Sequence, residues 1–143
     1  MDVADAKTDG SEDMSYTTDI LLEVIRLAQE TDPFATIRRG SLPPDNGICM
    51  EIATGAPETT FLDRRSVLSI SVVLNGKHSD LAALSRALDA IHHRLTHLKE
   101  YPITEAWQML SISTTSVPHQ IERESNGQWL FGSALTVYFF ERS

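Results

Sequence analysis

The stretch that most constrains this chain is its last third, Ala106 to Ser143, where two strand-like apolar runs flank a polar connector. The runs read AWQMLSIST and QWLFGSALTVYFF, and TSVPHQIERESNG stands between them. In the second run Trp129, Phe131, Leu135, Val137 and Phe139 fall at every-other spacing, enough to line one face of a strand. The connector is about a dozen residues long, more than a plain hairpin needs. A sheet with a long charged loop at one end is therefore expected here.

The preceding chain supplies more strands and two helices. In TDILLEVIRLAQE, residues 18–30, Ile20, Leu21, Val24, Ile25, Leu27 and Ala28 share one side of a helix and leave Glu23, Arg26 and Glu30 outside. Thr18 or Asp19 is the expected cap, and Asp32-Pro33 the expected stop. A short extended piece follows, then turn residues Gly40, Pro43, Pro44, Asn46 and Gly47, then the strand ICMEIAT. GAPETTFLDRR reads as a loop. SVLSISVVL is the cleanest strand, with Leu68, Ile70, Val72 and Leu74 on one face, and Asn75-Gly76-Lys77 reads as its closing turn. Ser79 or Asp80 then caps a helix whose stripe is Leu81, Leu84, Leu88, Ile91, Leu95 and Leu98, ended by Tyr101-Pro102.

Strands with one apolar and one small-polar face suit a mainly antiparallel sheet with both helices on one side. The expected fold is α+β: a two-layer sandwich of about five strands and two helices. Residues 1–17 read as an acidic, solvated tail and 18–143 as one domain. Residues 1–19 carry six acids against Lys7, while the other 14 acids and 11 bases nearly balance. No basic stripe is left for duplex nucleic acid. The single cysteine, Cys49, makes no internal disulfide, and no apolar run approaches the length of a membrane span. Synthesis in a cytosol is the expectation.

Chemistry-bearing residues are sparse. Asp89, His93 and His97 stand four apart on the second predicted helix, a spacing that brings two imidazoles to one face for a metal. That face lies opposite the leucine stripe, and Arg94 follows His93 where a metalloprotease motif has glutamate, so a solvated face is the better reading. Cys49 sits mid-strand beside Glu51, whose charge raises a thiol pKa. The pairs Arg38-Arg39 and Arg64-Arg65 each lie beside a turn and suit phosphate or carboxylates, for example Glu122 or Glu124 of a neighbouring subunit, and read equally well as exposed surface pairs. No phosphate loop, nucleophile elbow or general-base set is present. No enzyme activity, metal or cofactor is expected. The polar segments 55–65 and 114–128, each with an apolar anchor, read as contact loops. Their candidate contact residues are Thr59, Thr60, Phe61, Asp63, Arg64 and Arg65 in the first, and His119, Ile121, Glu122, Arg123 and Glu124 in the second.

Three segments carry a resemblance: TTFLDR at 59–64, VVLNGKH at 72–78, and the run from Trp107 to Phe140. Together they resemble a family of minor capsid proteins of long-tailed bacteriophages and prophages, related to tail terminator proteins, from about Leu21 to Phe140. Arg65 stands where the family's TTFLDRG-like loop has glycine. The resemblance implies a virion structural protein with a helix-backed antiparallel sheet. Such proteins form a ring, typically a hexamer, that ends tail-tube polymerisation and docks to the head connector. The implied partners are further copies of the chain, a tail tube protein and a head-connector or head-completion protein. The implied location is the head–tail junction of a virion assembled in the bacterial cytoplasm, with no membrane and no direct nucleic-acid recognition. Two alternatives stand beside it: a head-completion or connector-stopper protein, and a small metal-binding enzyme using His93 and His97.

Overall fold

The computed structural model describes the backbone of residues 11–53, 58–62 and 65–142, and side chains from residues 16–53 and 67–142. The first element is helix α1, Ser11–Gln29. It starts earlier than the apolar periodicity indicates, so Thr18 and Asp19 lie within it and cap nothing. Ile20, Leu21, Val24, Leu27 and Ala28 are buried as that periodicity predicts. Arg26 lies on the outer side and pairs with Glu23 and, at 3.1 Å, with Glu30. The helix ends where Asp32 takes a left-handed backbone, φ 56°, ahead of Pro33.

Among the described residues six strands follow, around a second helix. They are β1 (Ile37–Arg39), β2 (Gly47–Ile52), β3 (Glu58–Leu62), β4 (Arg65–His78), β5 (Trp107–Arg123) and β6 (Trp129–Glu141). Helix α2, Leu81–Thr96, sits between β4 and β5 in the chain, with the Asp80 carboxylate accepting from the amides of Ala82 and Ala83. The sheet order is β1-β2-β4-β6-β5, and every pairing except the parallel β1–β2 is antiparallel. β3 pairs with the first residues of β4 and β2 with the last, so the two lie end to end along one side of β4.

One core joins the layers. Ile70, Val72 and Leu74 of β4 and Leu135, Val137 and Phe139 of β6 meet the buried sides of both helices, including Leu84, Leu88, Ile91 and Leu95 of α2. Burying each such side chain contributes about 1.5–3 kcal/mol. The fold is the α+β two-layer sandwich expected, with both helices on one face.

Three segments differ from the sequence reading. Residues 55–65, read as a loop, contain β3, which forms a hairpin with β4 in the register Leu62↔Arg65. Asn75-Gly76-Lys77, read as a turn, is strand paired with Gly132, Phe131 and Leu130. Gly76 is there for close packing: a Cβ on it would stand 2.8 Å from Leu84 Cδ1 and 3.2 Å from Leu88 Cδ2, where α2 lies on the sheet. Most of 114–128, also read as a loop, is the continuation of β5. Leu81, counted in the α2 stripe, is exposed at the helix start.

Candidate interaction surface

β5 outruns its cover. A helix of 16 residues spans about 24 Å at 1.5 Å per residue, whereas a 17-residue strand reaches on the order of 50 Å. Trp107, Met109 and Ile112 are buried, but Thr114 to Arg123 are exposed apart from half-covered Ser116 and Pro118. Polar residues hold the strand geometry there because the ladder to β6 needs only backbone. Four register irregularities, between Met109 and Glu122, break the ladder into short pieces. Pro118 is tolerated because β5 is an edge strand.

The β5–β6 turn is pinned rather than loose. Gly127 takes φ 89°, and Glu124 N–H donates to Gln128 O at 2.7 Å across the turn. The Gln128 side chain, buried, accepts from the amide of Asn46 at 2.9 Å. Lys77, also buried, reaches Glu124 at 2.9 Å, and the Arg123 guanidinium lies 4.6 Å from the centre of the Trp129 ring.

The candidate contact residues separate into two places. Ile121 is 52% exposed, with its tip over Gly132. His119 and Glu122 are exposed, with the His119 ring bonded to the Val117 carbonyl. Among the described residues Glu122 makes no ion pair. Glu124 is ion-paired with Lys77 of the same chain. Thr59, Thr60 and Phe61 belong to β3 and Arg65 opens β4, with only their backbone described. Asp63 and Arg64 lie outside the described residues. β3 pairs with the Arg65–Ser69 end of β4 and the β5–β6 turn stands at the His78 end. The sheet therefore does not bring the two candidate segments together.

The residues weighed for chemistry are engaged otherwise. The His93 and His97 rings stack with centroids 4.2 Å apart and planes 23° from parallel. His97 Nδ1 also bonds the His93 carbonyl at 2.8 Å, and no group of three potential ligands occurs among the described residues. The Cys49 thiol is pushed up, first by burial and then by Glu51, against the backbone of Asn75 and the charge of Arg38. The sequence reading missed His92, which is buried and bonded at 2.8 Å to both Thr114 Oγ1 and Ser133 Oγ. Ser133 gives its only proton to the Leu74 carbonyl, so His92 Nε2–H donates to Ser133 and Nδ1 accepts from Thr114. Burial lowers the His92 pKa, and Asp89 opposes that in part. The available signal was spacing: position 92 stands four after Leu88 and three before Leu95, on the buried stripe.

A second surface, also not legible beforehand, lies at the opposite sheet edge. Leu22, Ile25, Gln29, Thr36 and Ile37, with the charged Arg26 and Glu30 among them, wall an open, mainly apolar groove of about 410 Å³ between α1 and β1. Leu22 is 49% exposed and stands off the buried stripe of α1.

No protein-family model matches this chain, and no curated protein matches it. Among solved structures it is similar to a chain described as "Virion of native gene transfer agent (GTA) particle", with a TM-score of 0.55 and 9% identity. The match covers 85% of this chain and 91% of that one. At that identity the likeness is one of fold, and it spans nearly the whole of both chains.

Proposed function

We propose that this chain is a structural component of a phage-like virion, of the tail-terminator type. In this reading it forms a ring, a hexamer by the sequence resemblance, that ends the tail tube and meets the head connector. The observation that carries the reading is the nearly end-to-end fold likeness to a virion chain. The independent resemblance of TTFLDR, VVLNGKH and the 107–140 segment to phage minor capsid proteins supports it further. A ring suits a subunit with two different exposed surfaces, since head-to-tail contacts repeat one pair of unlike patches until the rotation closes. The tail tube protein and a head-connector protein are the partners this position requires.

Deleting the chain from a particle-producing strain and imaging the tails tests the position. Tails of uncontrolled length, with heads unjoined, are expected. Normal-length tails beside leaking heads would move the chain to the head-completion side, and normal particles would end the structural reading altogether.

A further inference from the structure

β1 and β5 are the two ends of the five-strand order, and β3, paired only with the start of β4, is a further edge. Unpaired edges are where sheets add strands from other chains unless they are blunted. Following the registers shows that β1 and β5 stand at the same level. Ile37 pairs with Ile48, Ile48 with Gly76, Gly76 with Phe131 and Phe131 with Gln120. The adjacent row runs Arg38, Cys49, Asn75, Gly132 and His119. The three residues of β1 therefore lie across the sheet from the exposed half of β5, not from its buried half. β1 runs with β2, and three antiparallel steps then separate β2 from β5, so β5 runs opposite to β1.

The two edges are also complementary in character. The β1 edge is walled by α1 to make the apolar groove, with the Ile37 amide given to Gln29 Oε1 at 2.8 Å, a side-chain stand-in for another strand's carbonyl. Arg38 is exposed and makes no ion pair among the described residues, and Arg39 is only 3.6 Å from Glu51. The β5 edge offers Glu122 and, 66% exposed, Val117. Gln120 stands opposite core Phe131 at the level of Ile37, and so on the helix side of the sheet, where the groove lies. Pro118 and the three irregularities before His119 restrict further pairing to a short piece after them, which carries the fourth between Gln120 and Glu122, in keeping with a partner strand of only three residues.

We propose that this groove takes a second copy of the chain. The His119–Glu122 section of β5 in one copy adds antiparallel to β1 of the next, with Gln120 beside Ile37 at the groove, Val117 at the level of Arg39 and Glu122 near Arg38. A helix-walled sheet edge capturing an extended strand is a recurrent mode of recognition. Because the two patches differ, the contact is head to tail and closes only as a ring. This rests on the ring reading and adds which surfaces make the ring.

The test uses the full chain with Cys49→Ser, carrying either Arg38→Cys or His119→Cys. The two positions share a level and a face, where antiparallel neighbours have Cβ atoms about 4.5–5.5 Å apart, close enough for oxidation to link them. A covalent dimer from the mixture, and none from either variant alone or from Arg38→Cys mixed with Glu105→Cys, is the expected result. If the parent chain forms rings by native mass spectrometry but the mixture gives no dimer, or one variant alone does, edge pairing is wrong and the ring stands. If the parent stays monomeric at every concentration, the ring reading falls and the pairing with it. Val117→Lys gives a second measurement: at least tenfold weaker association is expected, and unchanged association overturns the proposal.

Discussion

The two halves of β5 are one strand in one ladder, yet they face different surroundings. From Trp107 to Ile112 every second or third side chain is buried under α2, whereas from Thr114 to Arg123 none is fully buried. The first half holds the domain together. The second is held out by the domain, fastened at its far end by Lys77–Glu124 and the Gln128–Asn46 bond. The contrast teaches that cover by the helix layer, not strand formation, divides stabilising residues from presenting ones in this sheet.

The largest effect expected is in the covered half. Ile112→Ala leaves a hole among packed core side chains and should cost about 2–5 kcal/mol by urea denaturation. A cost below about 1 kcal/mol would mean that the proximal half is not core. Next is the clamp at the far end. Lys77→Ala strands the half-buried Glu124 carboxylate and should cost about 1–3 kcal/mol, with faster hydrogen exchange at the amides of Glu124 and Gly127. Unchanged exchange there would show that the turn is held without the ion pair.

The boundary between the halves is marked by His92, which links α2 to Thr114 and Ser133, and a pH dependence sharpens the division. Burial holds the folded-state pKa below the ordinary histidine value of about 6.5, so the unfolded chain takes up the proton first. The stabilising difference is complete above that ordinary value. It is lost as pH falls from there through the folded-state pKa. His92→Gln should flatten this part of the stability curve while changing stability at pH 8 much less. An unchanged slope would place the pH dependence elsewhere.

How much of this was legible in the sequence follows from the same division. Alternation in 68–74 and 129–139 marked β4 and β6 because those strands are half-buried throughout, and burial writes the period into the residues. The α2 stripe was readable for the same reason. The distal half of β5 was misread because it has no buried face and so no apolar alternation, and Pro118 looks like a loop residue. Gly76 looked like a turn because its actual role, making room for Leu84 and Leu88, depends on a helix that follows it in the chain. The groove beside β1 needed the fold, since Leu22 and Ile37 meet only through tertiary packing. Of the two candidate contact segments, sequence identified both as polar but not that they occupy opposite ends of the sheet.

The smallest effect on stability separates the halves most cleanly. Val117 is 66% exposed on the uncovered part of an edge strand, so Val117→Lys removes little buried surface and should change unfolding free energy by no more than about 0.5 kcal/mol. Lysine on an edge strand is also a common device against strand addition. If presentation is the role of the distal half, self-association weakens while thermal unfolding of the isolated chain stays where it was. Measuring both on one sample, by native mass spectrometry and by calorimetry below the concentration of assembly, pairs the readouts directly. A fall in unfolding temperature as large as that of Ile112→Ala would mean that the two halves of β5 do the same work, and the contrast drawn between them would fail.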